Sequence, residues 1–456
     1  MIGALIRERG TLAAHLQMRV LYDISTLGLA HLYQQSRGGA FRVDLHVTEA
    51  LAASGECDLL FCANHSTVAY HGCREFLRDH VRLGDVPLLA PARRGGHSAL
   101  HPMASAVHRG ARRLFGSNVL PSAVRTLAVF VDRHLHPPVG DAGAPVDILH
   151  SPSTPLPPRT NGHGPRRFLT IYDVGPLRFT DMYVPAYRRS MLAATRSVQP
   201  DDRVITSSMF ARDEICEFGI ASGDRIDVVP LAADGALFYP CTDAERIAGV
   251  RRRYGIPDGP YVLSVNSPDP RKNVAVAIHA FARLAREGRD ALGSLVLAGG
   301  AGAGSERIDQ ALKRYPELRS RIVCTGFVPD ADLAPLYTGA QVFAFPSIYE
   351  GFGLPPLEAM QCGTPVIACN TSSLPEVVGD GGVLVPPGDV DALAGAMLDV
   401  ARAPSRRQLQ DRALAQARRF SWGRSTAETL RAYRAASAHS RASGTGAGPV
   451  SPSAAS

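Results

Sequence analysis

Between Tyr261 and Arg402 the sequence alternates regularly between short apolar runs and longer segments with helical periodicity. The apolar runs are YVLSVN, SLVLAGG, RIVCTGF, VFAFPS, TPVIACN and GGVLVPPG, and the helical segments include VAVAIHAFARLARE and VDALAGAMLDVARA. Short apolar strands separated by helices are typical of a parallel sheet that is covered by helices on both faces. The pattern therefore predicts a doubly wound α/β domain in this half of the chain.

The first half of the chain shows the same alternation in a weaker form. The run MRVLYDIST predicts a strand, and it leads through the loop HLYQQSRGGAFR, with Gly38 and Gly39, into the helical pattern LHVTEALAAS. Further apolar runs are DLLFCAN, VDILHSPS and FLTIYDV. We expect two Rossmann-like domains that face one another across a central cleft, with the junction in the Pro- and Gly-bounded segment 240–260.

Composition narrows the class of protein. A length of 456 residues suits two domains, and 45% hydrophobic with 20% charged residues is ordinary for a globular chain. No run approaches the roughly 18 apolar residues of a membrane span, and Arg7, Glu8 and Arg9 interrupt the N-terminus. A cytoplasmic location is expected. The eight cysteines show no C-x-x-C spacing, so the sequence suggests neither a disulfide framework nor a zinc site.

Positive charge is concentrated in residues 93–196, which hold 14 arginines and five acidic residues, whereas the whole chain has a net charge of +7. One interpretation is attraction to an anionic acceptor or to a membrane surface, which would make the protein peripheral at the membrane. The other is a solvated face of an arginine-rich protein. Both stay open, and no nucleic-acid partner is expected. The oligomeric state is left undetermined.

The strongest chemical motif is SIYEGFGLPPLEAMQCGTP, directly after the apolar run VFAFPS. Gly351 and Gly353 bracket Phe352 in a predicted turn from strand to helix, and the prolines that follow suit the first helical positions. Such a turn directs backbone N–H groups and a positive helix end toward the cleft, which suits phosphates. By contrast, the sequence contains no GxxxxGK[ST], HExxH, GxSxG or strand-linked GxGxxG motif.

Two carboxylates flank this turn, Glu350 and Glu358. A carboxylate repels phosphate, so each is expected to accept hydrogen bonds from sugar or ribose hydroxyls. For Glu358 an alternative is that it complements the dipole at the helix start.

Arg271 and Lys272 form the second element, in SPDPRKNVAVAIHAFARL after the run YVLSVN. Cations just before a helix are unfavourable to its dipole and suggest another purpose. Two positive charges can stabilise a departing diphosphate in place of a metal ion. Lys272 is also notable because the chain contains only one other lysine, Lys313.

With these motifs in the order PRKN, TGFV, EGFGLPPLEAMQCGTP and FSW, residues 261–436 resemble the donor domain of glycosyltransferase family 4, retaining enzymes of the GT-B fold. The first half resembles the acceptor domain of that family through SRGG, IYDVGPL, ITSSMFARDEI and VVPLAAD. The resemblance implies an acceptor-binding domain at 1–245 and a donor-binding domain at 246–420. It further implies a terminal helix at 421–437 that crosses back to the first domain. A disordered tail is predicted at 438–456 because that segment is rich in Ser, Ala and Gly.

The resemblance also implies roles for individual residues. Arg271 and Lys272 match the pair that binds the diphosphate, Glu350 is expected to hold the donor sugar, and Glu358 the ribose. Other donor-binding positions carried over are Gly38, Gly39, Phe327, Val328, Gly351, Phe352, Gly353 and Leu354. Phe327 and Val328 are expected beside the base, and Gly38 and Gly39 in a loop over the diphosphate.

One position departs from the family pattern. Many members have His-Asp or His-Glu where this chain has Tyr172 and Asp173, and the histidine is often given a catalytic role. A tyrosine can donate a hydrogen bond but is a weak base at neutral pH.

The predicted function is metal-independent, retaining transfer of a sugar from a UDP- or GDP-sugar to a hydroxyl acceptor by a hexosyltransferase-type enzyme without a cofactor. A second hypothesis is a catalytically silent GT-B protein that binds nucleotide sugars or acts in an assembly. A third is a sugar phosphorylase or epimerase, which is disfavoured because the signatures of those enzymes are not apparent.

Overall fold

The computed structural model describes residues 17–33, 39–91, 142–159, 164–265, 269–289, 291–300 and 304–444. Within these ranges the strands form two six-stranded sheets in which every pairing is parallel. The predicted pair of doubly wound domains is therefore confirmed.

The first sheet has the strand order β2-β1-β3-β4-β5-β6. Its strands are β1 (Arg19–Asp23), β2 (Asp58–Cys62), β3 (Ile148–Pro152), β4 (Arg166–Thr170), β5 (Arg203–Thr206) and β6 (Ile226–Val228). Its helices are α1 (Ser25–Tyr33), α2 (Gly39–Ser54), α3 (Thr67–Asp79), α4 (Gly175–Arg178), α5 (Pro185–Arg196) and α6 (Met209–Glu217). The order resembles the flavodoxin-like arrangement, with the reversal between β1 and β3.

The second sheet has the order β12-β11-β10-β7-β8-β9, which matches the doubly wound order 3-2-1-4-5-6. Its strands are β7 (Tyr261–Val265), β8 (Ser294–Ala298), β9 (Ile322–Gly326), β10 (Val342–Phe345), β11 (Val366–Cys369) and β12 (Gly382–Val385). The helices of this half are α7 (Ala244–Arg253), α8 (Val274–Arg286), α9 (Ser305–Lys313), α10 (Asp330–Gly339), α11 (Leu354–Gln361), α12 (Leu374–Val378), α13 (Val390–Arg402) and α14 (Arg406–Ala417).

Helix α1 differs from the sequence interpretation, which placed part of it in a loop. It crosses α3 closely at two glycines: a Cβ on Gly28 would lie 2.5 Å from the backbone nitrogen of Cys73, and one on Gly72 would lie 2.3 Å from the carbonyl oxygen of Gly28. Most residues of α1 are buried or half-buried, so it lacks the polar face by which an amphipathic helix is recognised.

The last helix, α15 (Trp422–Gly444), follows the second domain in sequence but packs on the first. Leu430, Tyr433 and Ala436 belong to the same apolar core as Val20 and Tyr22 of β1. The hydroxyl of Tyr433 is also hydrogen-bonded to the buried ring of His150. The helix runs seven residues beyond the predicted end at 437. The exact domain boundaries stay a prediction, and residues 445–456 of the predicted tail lie outside the described residues.

Candidate functional site

The candidate site begins where two neighbouring strands of the second sheet end. β7 and β10 lie side by side, with Val262 paired to Val342, and the strand order reverses between them. Open α/β sheets bind ligands beyond the carboxyl ends of their strands at such a reversal. Arg271 and Lys272 follow β7, and Glu350 follows β10. The topology therefore brings the two cations and one of the two carboxylates to the same edge.

Lys272 and Glu350 form a partly buried ion pair. The Nζ atom of Lys272 lies 2.5 Å from Oε1 of Glu350, and the two side chains are 12% and 10% exposed. Ser347 donates a hydrogen bond of 2.7 Å to the same carboxylate oxygen. The ammonium also lies 5.1 Å from the centroid of the Phe345 ring. Because water competes weakly at this depth, the pair holds both side chains in one geometry.

Arg271 lies in the single turn Pro270–Lys272 between β7 and α8. Its guanidinium pairs with Asp269 at 2.8 Å and donates to the carbonyl oxygen of Tyr349 at 3.1 Å. Its own carbonyl oxygen accepts the N–H of Ile348 at 2.9 Å, which ties the two strand ends together. Each cation therefore has a carboxylate partner, and an incoming anion would share the cations with Asp269 and Glu350.

The glycine turn 351–353 is shaped by two separate constraints. Gly353 has φ of +116°, a conformation that side chains rarely adopt. A Cβ on Gly351 would lie 2.3 Å from the carbonyl oxygen of Tyr172 and 2.8 Å from the Cβ of Asp173. Gly351 is thus required by the close contact of the two domains, a reason that the sequence did not reveal.

The turn leads into helix α11, which begins at Leu354 with prolines at its next two positions. Proline has no N–H, so the unsatisfied amide groups expected at this helix start are confined to the turn and Leu354. Segments that follow β4 and β5 of the first sheet contact this turn at Gly351. The arrangement can bind an anion or a sugar oxygen.

Hydrogen bonds across the cleft hold the turn against the first domain. Ser207 and Ser208, which follow β5, donate to the carbonyl oxygen of Gly351 at 3.0 and 2.7 Å. Glu376 accepts the backbone N–H groups of Met209 and Phe210 at 2.9 and 2.7 Å, at the start of α6. The sequence did not indicate a role for Ser207, Ser208 or Glu376, because the contacts join segments more than 140 positions apart.

Glu358 lies in the second turn of α11, beyond the reach of a helix-start interaction. Its Oε2 accepts a hydrogen bond of 3.0 Å from the hydroxyl of Tyr337. Arg42 of α2 lies 3.9 Å from its other oxygen and also pairs with Asp330. Burial raises the pKa of Glu358 to about 6, although Arg42 and Tyr337 act in the opposite direction. No feature of the sequence indicated Arg42, which reaches the second domain from the helix that starts at Gly39.

Tyr172 directs its hydroxyl into the first domain. It donates a hydrogen bond of 2.7 Å to Oδ1 of Asp44 on α2. The second oxygen of Asp44 has no hydrogen-bond partner among the described residues, and burial raises the pKa of this carboxyl to about 7. The neighbouring Asp173 accepts the N–H of Gly175 at 2.8 Å. Burial raises the pKa of Asp173, while the nearby Arg271 lowers it.

The remaining site residues from the sequence are placed as follows. Gly39 begins α2, and a Cβ there would lie 3.7 Å from Leu354 of the second domain. Gly38 lies outside the described residues. Phe327 follows β9 with its side chain 75% exposed, whereas Val328 is buried in the core. The structure therefore does not pack Phe327 into the cluster around Lys272.

A cavity of about 190 Å³ lies near the carboxyl ends of β8 and β9, against α9. Its lining includes Ser264, Gly299, Asp309 and Gly326. Gly326 directly precedes Phe327. The cavity therefore lies beside the predicted position of the base, and its lining does not include Lys272 or Glu350.

Two kinds of feature are absent from the described ranges. No group of three or more His, Cys, Asp or Glu side chains there is arranged to hold a metal ion. No helix among those residues has the length and apolarity to cross a membrane. About half of the basic segment 93–196 falls in the stretch 92–141 outside the described residues, so its two interpretations stay untested.

Two doubly wound domains facing one another across such a cleft define the GT-B class of proteins. A model of the family described as Glycosyl transferases group 1 matches residues 249–419. The structure of Anabaena Alr3699/HepE in complex with UDP and glucose has a TM-score of 0.59 at 17% identity, over 92% of this chain and 100% of that one. The structural likeness confirms the predicted fold.

Two relatives from Escherichia coli extend the match into the first half. O-antigen chain mannosyltransferase B is 35% identical over 289 residues, which are 63% of this chain and 74% of that protein. Serotype-specific mannosyltransferase WbdA is 33% identical over 254 residues, or 55% of this chain and 31% of that protein. The chain thus spans less than a third of WbdA. The chain belongs to the group 1 glycosyl transferases, and the prediction of a hexosyltransferase-type enzyme is confirmed.

Proposed function

We propose that the chain is a retaining glycosyltransferase of family 4 that transfers mannose from a nucleoside diphosphate mannose to a hydroxyl of a glycan, without a metal ion. Mannose is the choice because both Escherichia coli relatives are mannosyltransferases. A nucleotide donor is supported by the UDP bound to the HepE structure. The base, uracil or guanine, is left to experiment.

One observation carries this proposal: at the reversal point of the second sheet, Arg271 and Lys272 contact Tyr349 and Glu350, which directly precede the glycine turn. Cations and backbone amides on one side of a cleft suit a diphosphate, whose charge grows as it departs. Glu350 positions Lys272 through the 2.5 Å ion pair. The two positive charges of Arg271 and Lys272 would stabilise the departing diphosphate, as a metal ion does in metal-dependent transferases.

The donor is proposed to lie along the edge of the second sheet. Glu350 accepts hydrogen bonds from the transferred sugar, and Glu358 from the ribose. The base lies beside Phe327 and Val328, where the cavity at β8 and β9 offers space. The predicted contact of Gly38 and Gly39 with the diphosphate stays part of the proposal, and the amides of residues 351–354 contact the sugar or phosphate. The domain boundaries 1–245 and 246–420 form part of this proposal.

The proposed bond changes follow from the positive charges of Arg271 and Lys272 beside the diphosphate. The acceptor oxygen attacks the anomeric carbon on the face that the diphosphate leaves, and the bond from that carbon to the phosphate oxygen breaks. The bonding electrons stay on the diphosphate, next to Arg271 and Lys272, and one phosphate oxygen takes the acceptor proton. The products are the glycosylated acceptor and the nucleoside diphosphate. Tyr172 is not assigned the proton, because its hydroxyl donates to Asp44.

The two lysines of the chain provide a matched test. Lys272→Met should lower kcat by about 100-fold or more, the usual size of a lost electrostatic contact to the developing charge. Lys313→Met removes the same charge from an exposed position on α9 and should leave kcat within twofold. The activity of both variants is measured as the release of nucleoside diphosphate from GDP-mannose and from UDP-mannose. Equal rates for the two variants would refute the diphosphate assignment.

Two further measurements separate this proposal from its competitors. NMR of the first product should show the anomeric configuration of the donor, and activity should persist in excess EDTA. Tight binding of the donor with no turnover on any acceptor would instead indicate a silent binding protein. Dependence on free orthophosphate would indicate a phosphorylase.

A further inference from the structure

A pair of tyrosines on the first domain lies directly beside the proposed diphosphate site. Tyr183 and Tyr187 belong to the turn before α5 and to its first turn, and their ring centroids are 5.8 Å apart. The ring of Tyr183 covers Arg271, with the guanidinium carbon 4.9 Å from the ring centroid. The two rings thus form an aromatic surface that runs from Arg271 outward.

The hydroxyl of Tyr183 is buried and has no hydrogen-bond partner among the described residues. It lies in a space that Gly175 leaves open: a Cβ on Gly175 would be 2.3 Å from this hydroxyl and 3.0 Å from Oδ1 of Asp173. A buried tyrosine hydroxyl normally finds a partner. The hydroxyl of Tyr183 is therefore a buried donor without a partner among the described residues, beside a carboxylate at the wall of the cleft.

Tyr187 forms the outer part of the surface. Its side chain is 50% exposed, and that of Val184 is 63% exposed, although large apolar residues are generally buried here. Pyranose rings carry C–H groups on their faces and hydroxyls at their rims, and a tyrosine offers a matching apolar face with a polar tip. A membrane-binding helix needs a much longer apolar face than these two residues provide.

We propose that Tyr183 and Tyr187 form the acceptor subsite, in which a sugar ring of the acceptor glycan stacks on Tyr187 and is positioned by the hydroxyl of Tyr183 for attack on the donor. This inference rests on the proposed function and names its acceptor class as a carbohydrate. The surface is continuous with the donor site through Arg271, so a ring stacked there can present a hydroxyl to the cleft.

The test compares Tyr187→Ala, Tyr187→Phe and Tyr183→Phe with Val81→Ala, which truncates another exposed apolar residue of the first domain. The acceptors are a series of α-mannosides of one to three sugar units and, as a lipid-like alternative, decanol. For each variant, KM and kcat for the acceptor are measured, together with hydrolysis of the donor in the absence of an acceptor.

Tyr187→Ala should raise the acceptor KM about tenfold, with kcat and donor hydrolysis within twofold of the wild type. Tyr187→Phe should restore most of the affinity because it keeps the ring, and Val81→Ala should change nothing. Tyr183→Phe removes only the unpaired hydroxyl, so it should keep thermal stability while lowering kcat/KM for the acceptor about tenfold.

Three results would overturn the inference: an acceptor KM unchanged in Tyr187→Ala, an equal loss of donor hydrolysis in that variant, or transfer to decanol but to none of the mannosides. Donor hydrolysis by the wild type separates this failure from failure of the proposed function. If the wild type neither hydrolyses a nucleotide sugar nor transfers its sugar to an acceptor, the proposed function is wrong. The acceptor subsite, which depends on it, is then wrong as well.

Discussion

The two domains present different chemistry to the same cleft. The second contributes most of the charge and the bare backbone, through Lys272, Glu350 and the turn at Gly351. Apart from Arg42, the first contributes aromatic rings and hydroxyls, through Tyr183 and Ser207. A diphosphate has only acceptor oxygens and negative charge, so it is bound by cations and hydrogen-bond donors. A sugar acceptor, by contrast, can be bound by many combinations of apolar surfaces and polar groups. The difference explains why only one side of the cleft was recognisable from residue types.

The reversal points of the two sheets sharpen this contrast. In the second sheet the reversal between β7 and β10 opens onto Arg271 and Lys272. In the first sheet the corresponding reversal lies beside Asp23, which is 1% exposed and accepts hydrogen bonds from Ser25 and Thr154, each at 2.6 Å. Both oxygens of that carboxylate therefore accept hydrogen bonds from residues of the same domain. The same place in two related architectures is thus a candidate ligand site in one and a closed internal network in the other.

The largest effect is expected from forcing the domains apart where they are closest. Gly351→Ala places a Cβ within 2.3 Å of the carbonyl oxygen of Tyr172, so the turn or the facing segment must shift. Misplacement of catalytic groups by about 1 Å can cost roughly 100-fold in rate, and we expect at least that loss of transfer. Gly395→Ala in α13 meets no atom within 4 Å and serves as the control. Equal activity of the two variants would show that the contact at Gly351 is dispensable.

A smaller effect should appear in the pH dependence of donor binding. Glu358 has a pKa raised to about 6, so it is ionised at pH 7.5 and mostly protonated at pH 5. A protonated carboxyl loses acceptor capacity for ribose hydroxyls. The affinity for the nucleotide sugar, whose phosphates do not titrate in this range, should therefore fall about tenfold between pH 7.5 and 5 when measured by calorimetry, within the usual range for a charged hydrogen bond. In Glu358→Gln it should be weaker and independent of pH over this range.

The smallest effect concerns the first domain and should leave donor binding unchanged. Asp44 has a folded-state pKa of about 7, above its ordinary value, because of burial. The folded chain therefore binds this proton more tightly than the unfolded chain does. The stabilisation that results is lost as the pH rises from about 4 to 7. Asp44→Asn should remove this loss and raise the free energy of unfolding at pH 8 by about 1–2 kcal/mol. The exposed Asp201→Asn is the control, and chemical denaturation at pH 5 and 8 provides the measurement.

The sequence predicted the second domain well because its signals are local. The apolar runs became β7 to β12 in their predicted places, and the cations and Glu350 follow adjacent strands as expected. The sequence could not show that β7 and β10 are neighbours, since that depends on the strand order. It also could not reveal the carboxylate partners Asp269 and Glu350, which make the cations less available than the pattern suggested.

The first domain was harder to predict because its important contacts are distant in sequence. Arg42 reaches Asp330, and Ser208 reaches Gly351, across intervals that no periodicity connects. Helix α1 was missed in part because it is apolar on most sides and crosses α3 at Gly28. Tyr172 was identified as a departure from the family pattern, but the sequence did not show that its hydroxyl is bound to Asp44.

The position of α15 has a consequence for how the chain is made. Leu430, Tyr433 and Ala436 complete the core around β1, yet a ribosome adds them only after the whole second domain has been translated. The half of the molecule that emerges first is therefore the one that reaches its final packing last. A premature stop codon at residue 422 would leave the second sheet intact and the first with part of its apolar core open to water.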